Sequence, residues 1–104
     1  MMPKRGEVWL FDLGMAEKVR PVLIVSVPFG DRDRALVTVV PHTTSLRGSA
    51  YEIVTATPFL KAGAFVVQAV STYPSVRAIR KLGSLREGDF ALVLGGLDRW
   101  LGRV

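Results

Sequence analysis

The stretch Lys18-Val19-Arg20-Pro21-Val22-Leu23-Ile24-Val25-Ser26 decides how this chain is expected to fold. Its aliphatic and β-branched residues are typical of a buried β-strand. Pro21 has no backbone N–H, and it biases Arg20 towards extended geometry. Arg20 therefore stands at the mouth of a buried strand, where its planar, permanently charged guanidinium is suited to binding phosphate. The alternative is an ordinary strand that begins with a solvated arginine.

Length and composition indicate a single small globular domain over residues 1–104. The chain is 49% hydrophobic, and a core of this size leaves room for self-association to add stability. The N-terminal residues lack the long apolar segment of a signal peptide, and no run reaches membrane-spanning length. We therefore expect a cytoplasmic protein with no membrane contact. The absence of cysteine excludes disulfides and thiolate metal sites.

The charge balance favours an anionic partner. The chain carries 14 Lys and Arg against 9 Asp and Glu, a formal net charge of +5. Such a balance suits nucleic acid or an acidic protein segment. The arginines stand at segment ends throughout the chain rather than in a tail, which favours a binding surface formed by the fold.

Apolar runs separated by turn residues predict five or six short strands. They fall over residues 5–13, 18–26, 35–41, 51–55, 64–72 and 78–83, with an interruption at residues 73–75. Residues 35–41 are too apolar to face water on either side. The strands predict a small, largely antiparallel β-barrel.

A C-terminal helix is predicted from the spacing of its apolar residues, which are Phe90, Val93, Leu94, Leu97 and Leu101. Ser84 and Glu87 have the spacing of a capping box at its start. Gly95 and Gly96 lower helix propensity, but they would allow close packing against the sheet. Gly102 is a plausible helix stop.

The candidate functional residues are polar side chains at strand ends. HExxH-type metal spacing, phosphate-cradling glycine loops and nucleophile elbows do not occur, and a single histidine excludes two-histidine catalysis within one chain. The remaining candidates are Arg20, His42, Thr43, Thr44, Ser45 and Gln68, which we place within a strand. The hydroxyl residues could equally be turn residues that bond their own backbone, and His42 and Gln68 could be satisfied structural side chains.

An arginine with a hydroxyl donor can supply what metal-free RNA cleavage requires. Attack by the 2′-hydroxyl on the adjacent phosphorus builds negative charge on the non-bridging oxygens, which positively charged and hydroxyl donors stabilise. The high pKa of arginine makes it a poor base, so charge stabilisation or proton donation to the leaving oxygen is its natural role. Thr43 can donate to a phosphate oxygen through its hydroxyl.

Five blocks of sequence, in their order and spacing, resemble one known family. They are residues 5–10 (RGEVWL), 20–26 (RPVLIVS), 39–45 (VVPHTTS), Gln68, and 81–85 (KLGSL). Together they are similar to the MazF/PemK family of toxin endoribonucleases over nearly the full length of the chain.

The resemblance implies a fold, an activity and partners. The fold would be mainly β with a C-terminal α-helix, a small SH3-like antiparallel β-barrel of the MazF/PemK (CcdB-like) type, assembled as a homodimer. The activity would be sequence-specific cleavage of single-stranded RNA such as mRNA, without metal or cofactor, leaving a 2′,3′-cyclic phosphate and a 5′-hydroxyl. The partner would be an antitoxin of a type II toxin–antitoxin pair, whose acidic, disordered tail covers the RNA groove.

The resemblance also assigns site residues. Arg20 and Thr43 match the catalytic arginine and threonine, with Thr44 in place of Thr43 if the match slips by one. The predicted substrate-binding residues are His42, Thr44, Ser45, Gln68, Glu17, Arg5, Arg47, Arg77 and Arg80; solvated surface charge is the alternative for the last four.

Two departures from the family pattern bear on the mechanism. The loop before Arg20 is short, with Glu17 as its remnant, and Val67 stands where some members carry an acidic residue. Catalysis would therefore depend more heavily on Arg20 and Thr43. A catalytically weak or inactive barrel that binds a protein or nucleic acid is the alternative function. The sequence sets neither the RNA motif nor the identity of the antitoxin.

Overall fold

The computed structural model describes residues 2–14 and 18–103. In chain order the elements are β1 (Glu7–Asp12), β2 (Val19–Ile24), β3 (Leu36–Thr43), β4 (Glu52–Ile53), β5 (Ala64–Val66), β6 (Ser71–Pro74), β7 (Ala78–Ser84) and α1 (Glu87–Trp100). Two short 3-10 helices, Val67–Ala69 and Ser75–Arg77, flank β6. No helix in this described part of the chain has the length and apolar character needed to cross a membrane.

The strands form one antiparallel sheet in the order β4-β5-β3-β2-β1-β7, and β6 pairs with β3 as well. This confirms the prediction of a mainly β chain with a C-terminal helix. The predicted barrel is not closed, because the two end strands of this order, β4 and β7, are not paired in the part of the chain described. With only two residues, β4 offers few backbone groups for a further partner.

Strand β3 is the centre of the sheet, and both of its faces are covered. It pairs with β2 through Leu23↔Val40 and Ile24↔Val39, and Val39 and Val40 are fully buried. Because side chains alternate along a strand, the two valines enter different clusters. The helix-side core holds Val8, Leu23, Val40, Phe65, Val67, Val93 and Leu97. The opposite core holds Trp9, Phe11, Leu13, Val22, Ile24, Val37 and Val39. The predicted exclusion of water from both faces is confirmed at Val39 and Val40, whereas Leu36 at the start of the strand is 37% exposed.

The predicted strand over residues 64–72 is wrong, as is the interruption at residues 73–75. Strand β5 ends at Val66, the helix Val67–Ala69 follows, and β6 continues through Tyr73 to Pro74. Between the pairs His42↔Phe65 and Val39↔Ser71, β3 advances by three residues and its partner by six. The 3-10 helix takes up the difference. This helix lies opposite Pro41, which has no N–H to donate to a neighbouring strand. Gln68 therefore lies in a 3-10 helix and not in a strand.

Two other strand ends differ from the prediction. Strand β3 continues beyond Pro41 through Thr43, because His42 and Thr43 pair with Phe65 and Ala64. The strand predicted over residues 51–55 is reduced to β4. The last strand, predicted over residues 78–83, is confirmed with one further residue at its end.

The helix α1 confirms the prediction of a C-terminal helix, although Leu101 lies beyond its last residue and is 52% exposed. The start of the helix differs from the prediction. Ser84 is still in β7, paired with Glu7, so it lies too early to cap the helix, and Arg86 is the N-cap residue without a side-chain capping bond. The predicted stop is confirmed: Gly102 has a φ of 73° and its N–H bonds to the Arg99 carbonyl.

The two adjacent helix glycines make a matched pair for a stability test. A Cβ at Gly96 would lie 2.6 Å from Ile53 Cδ1, whereas a Cβ at Gly95 would meet nothing within 4 Å. We expect Gly95→Ala to raise the free energy of unfolding by up to about 1 kcal/mol. We expect Gly96→Ala to lower it by roughly 1–3 kcal/mol through overpacking. Urea unfolding of both variants measures the difference, and equal effects would contradict the close packing of Gly96.

A second test concerns the hydrogen bond that satisfies the buried Trp9 indole. Its Nε1–H donates to Glu7 Oε1 at 2.9 Å, while Glu7 Oε2 lies 3.0 Å from Lys81 Nζ. Burial alone would raise the pKa of Glu7, but bonds from Trp9, the Lys4 backbone and Lys81 hold it below the ordinary value of 4.5. Glu7→Ala should lower the free energy of unfolding by about 1–3 kcal/mol, because it leaves a buried donor unpaired. Glu7→Gln keeps an acceptor and should cost clearly less; equal losses would contradict this role.

Candidate functional site

Arg20 and Thr43 come together where β2 begins and β3 ends. The last pair of these strands is Val22↔Pro41. Arg20 lies two residues before Val22 and Thr43 two residues after Pro41, so the same register, carried on, sets them opposite each other. Both are partly exposed. The sequence analysis named both residues as candidates, and the fold sets them side by side.

Two adjoining cavities meet at these residues. The first, about 360 Å³, is lined by Arg20, Pro41, His42, Thr43, Ser45, Arg47, Ser49, Glu52, Val66, Gln68 and Ala69. The second, about 610 Å³, is lined by Leu10, Val19, Arg20, Pro21, His42, Thr43, Thr44, Ser45, Phe59, Leu60, Lys61, Arg80 and Leu82. Arg20, His42, Thr43 and Ser45 belong to both, so they form the border between the two cavities.

The Thr43 hydroxyl has a local structural role that leaves its proton available. Its Oγ1 accepts a hydrogen bond from the Ser45 backbone N–H at 3.0 Å. This is the turn bond that hydroxyl residues commonly make at strand ends. A hydroxyl that accepts one bond can still donate its own proton. The turn therefore orients Thr43 and leaves it able to donate to an anion.

His42 is packed into the wall of the site. Its side chain is 7% exposed, and its ring meets Phe65 edge-on at a centroid distance of 5.1 Å. Burial lowers the pKa of His42 from its ordinary value of 6.5, so the ring is neutral at pH 7. Gly63 permits this packing, because a Cβ there would lie 2.0 Å from the Thr43 carbonyl oxygen and 2.8 Å from His42 Cε1.

The sequence analysis missed Glu52, whose carboxylate holds the loop that carries Arg47. Oε1 accepts the backbone N–H groups of Gly48 at 2.9 Å and Ser49 at 3.0 Å, and Oε2 accepts that of Arg47 at 3.0 Å. The bond from Arg47 is the main reason that the pKa of Glu52 lies below its ordinary value of 4.5. The available signal was a glutamate three residues after Ser49, the spacing at which a carboxylate reaches back to backbone donors.

The other predicted binding residues divide into two groups. Arg47 and Gln68 line the first cavity, and Thr44 and Arg80 line the second. Arg5 and Arg77 line neither. The Arg5 side chain donates to the Val25 carbonyl at 3.0 Å, and its guanidinium carbon lies 4.8 Å from the centroid of the Phe90 ring. The guanidinium carbon of Arg77 lies 5.7 Å from the centroid of the Tyr73 ring. Glu17 lies outside the described residues.

The second cavity contains further residues that sequence reasoning did not select, which are Phe59, Leu60 and Lys61. They come from the connection between β4 and β5, and only the fold brings that connection beside Arg20. The sequence offered one signal for these residues, which was an aromatic residue two positions before a lysine in a predicted turn.

The two cavities differ in charge. The first combines Arg20 and Arg47 with Glu52. The second combines Arg20, Lys61 and Arg80, and no acidic residue occurs among the described residues that line it. Within residues 2–14 and 18–103, no three His, Asp or Glu side chains are grouped so as to hold a metal ion. The arrangement can bind an anion at the border and extend that binding into either cavity.

Several solved structures have the same fold. An endoribonuclease in complex with its cognate antitoxin, from a Mycobacterial species, is 26% identical, with a TM-score of 0.82 over 96% of this chain and 95% of that one. The Mycobacterium tuberculosis toxin MazF-mt6 is 26% identical, with a TM-score of 0.76 over 92% and 96%. A MazE-MazF structure from Deinococcus radiodurans is 20% identical, with a TM-score of 0.82 over the whole of both chains.

Sequence comparison gives the family directly. No curated protein sequence matches this chain. The sequence model of one family, described as the PemK-like, MazF-like toxin of type II toxin-antitoxin systems, matches residues 4–101. That match covers nearly the whole chain, including both strands that form the border of the two cavities. The chain belongs to the PemK-like, MazF-like toxins of type II toxin–antitoxin systems.

Proposed function

We propose that this protein is a metal-independent, sequence-specific endoribonuclease that cleaves single-stranded RNA, and that it is the toxin of its toxin–antitoxin pair. The observation that carries the proposal is the shared border of the two cavities, where Arg20 and Thr43 lie together. A guanidinium and a hydroxyl at one point suit a phosphate, and a cavity on each side leaves room for the nucleotides that flank it. A related structure from a Mycobacterial species supports the activity, since that protein is an endoribonuclease.

The reaction is an internal transfer at phosphorus. The 2′-oxygen attacks the adjacent phosphorus and forms a new O–P bond, while the bond from phosphorus to the 5′-oxygen breaks. The 2′-hydroxyl proton leaves to water, and the 5′-oxygen takes up a proton. The products are a 2′,3′-cyclic phosphate and a 5′-hydroxyl, with no other reactant.

Arg20 and Thr43 act on the charge that this step creates. Negative charge grows on the non-bridging oxygens, and donors already in place stabilise it without reorganisation. Arg20 stabilises that charge and assists departure of the 5′-oxygen. Thr43 holds a phosphate oxygen with its hydroxyl proton, since its turn bond to Ser45 uses only the oxygen. His42, neutral at pH 7, shapes the wall of the site, as do Thr44 and Ser45.

The proposed partners follow from the family and the charge. Two of the related structures are toxins seen with an antitoxin. A net charge of +5 and a cationic second cavity suit an acidic antitoxin segment that competes with RNA for the same surface. The protein would work in the cytoplasm, where mRNA is present, and as a homodimer.

The first test of the proposal is cleavage of a mixed-sequence, single-stranded RNA in EDTA. We expect cuts at one short motif. Arg20→Ala and Thr43→Val should each reduce the rate by roughly a hundredfold or more, as removal of a transition-state donor does. Thr44→Val should reduce it clearly less than Thr43→Val does, because valine keeps the shape that Thr44 gives to the wall of the second cavity. Mapping the 5′ ends of the fragments, and detecting the cyclic phosphate, checks the chemistry.

The control is Arg103→Ala, which removes one positive charge outside both cavities and should leave the rate unchanged. Intact RNA over a broad excess of protein would refute the nuclease and favour the alternative, a barrel that only binds. A loss of activity in Thr44→Val without a loss in Thr43→Val would transfer the hydroxyl role to Thr44.

A second test concerns Glu52, which we assign to positioning the loop that carries Arg47. Because its pKa is lowered in the fold, the ordering that it provides is complete above its ordinary value of 4.5 and is lost as the pH falls through the lowered pKa. The protection factors of the Arg47, Gly48 and Ser49 amides, which correct for the intrinsic pH dependence of exchange, should therefore fall in acid. In Glu52→Ala these protection factors should be low at all pH values. Glu87→Gln, an exposed change on the first turn of α1, is the control, and protection independent of Glu52 would contradict the assignment.

A further inference from the structure

The second cavity is lined by both apolar and cationic side chains. Leu10, Leu60, Leu82 and Phe59 supply the apolar surface, and Arg20, Lys61 and Arg80 supply the charge. A phosphate alone would not use the apolar part, and an aliphatic ligand would not use the cations. A nucleotide has both a flat, weakly polar base and a charged phosphate, so it fits the two parts together.

Phe59 is the aromatic surface of this cavity, and the fold holds it in place. Its ring rests on Gly83 of β7, where a Cβ would lie 2.7 Å from both Cε2 and Cζ of the ring. The absence of a side chain at Gly83 therefore lets the ring lie close against the strand. Phe59 nevertheless remains 39% exposed. A ring that is supported on one side and exposed on another is the arrangement on which bases stack.

We propose that the second cavity receives one unpaired base of the RNA, stacked on Phe59, while Arg80 and Lys61 bind the phosphate that flanks it. This inference rests on the proposed function and deepens it, because Phe59 becomes a specificity-determining residue beside the scissile phosphate at Arg20 and Thr43. Stacking requires an unpaired base, so the cavity also selects single-stranded over duplex RNA. Chemistry takes place at the border, and recognition of the neighbouring base takes place in the second cavity.

The charge of the two cavities favours this placement. An acidic side chain near a stacked nucleotide would repel its phosphate, and none occurs among the described residues that line the second cavity. In the first cavity the carboxylate of Glu52 accepts backbone N–H groups of residues 47–49. Among the described residues that line the first cavity, His42 alone has an aromatic ring, and that ring is packed against Phe65.

The test measures binding separately from cleavage. A labelled, single-stranded RNA of mixed sequence, methylated at every 2′-oxygen so that it cannot be cut, is titrated with protein at fixed salt, and fluorescence anisotropy gives the dissociation constant. The same backbone without bases is titrated in parallel. Phe59→Ala should weaken binding of the RNA about tenfold, a typical effect of removing a stacking ring. It should leave binding of the abasic strand unchanged.

Three variants separate stacking from general damage. Phe59→Leu keeps apolar bulk and should still lose most of the affinity, whereas Phe59→Tyr should retain it. Gly83→Ala displaces the ring without altering it and should weaken RNA binding in the same direction. Phe29→Leu, a partly exposed aromatic outside both cavities, is the matched control and should bind as the unmodified protein does. Thermal unfolding of each variant confirms that it is folded.

The outcomes distinguish this inference from the proposed function. If Phe59→Leu binds RNA as tightly as the unmodified protein, or if abasic and normal strands lose affinity equally, stacking on Phe59 is refuted, while EDTA-resistant cleavage would still support the nuclease. If the Phe59 variants lose RNA affinity as expected but the protein does not cleave unmethylated RNA, base stacking on Phe59 is supported and the proposed nuclease function is refuted. If the protein binds neither strand, both proposals fail.

Discussion

The burial of both faces of β3 is the constraint on which the rest of the structure depends. Val39 and Val40 are fully buried in different cores, so the strand cannot shift by one residue without exchanging its faces. With that register held by β2 on one edge and by β6 and β5 on the other, the end of the strand is held as well. Thr43 is therefore presented next to the start of β2, which carries Arg20.

The candidate site is assembled from small irregularities around this rigid strand. The 3-10 helix Val67–Ala69 takes up three extra residues opposite Pro41, and it brings Gln68 into the first cavity. Gly63 lets its chain pass close to the Thr43 carbonyl, and Glu52 accepts hydrogen bonds from the backbone N–H groups of residues 47–49 in the loop that precedes it. Each device holds a segment of backbone in place around the first cavity.

The structure explains one of the two departures from the family pattern. Val67 stands where some members carry an acidic residue, and here it is fully buried in the helix-side core, so it offers nothing to the cleft. A carboxylate does line the first cavity, but it is that of Glu52, engaged with the backbone. Chains only 20–26% identical share this fold with TM-scores of about 0.8, so such changes occur without loss of the framework.

The sequence by itself determined the strand-rich class, the C-terminal helix and the apolar central strand, and it placed an arginine and a threonine near strand ends. These depend on local patterns: alternation, helical spacing, and the backbone effects of Pro21 and Gly102. Only the tertiary structure decided that the strand over residues 64–72 breaks at Val67, that Arg5 and Arg77 pack on aromatic rings, and that Glu52, Phe59 and Lys61 enter the site. Those outcomes depend on partners distant in sequence: the missing N–H of Pro41, the bare Gly83 beneath Phe59, and a register set elsewhere in the sheet.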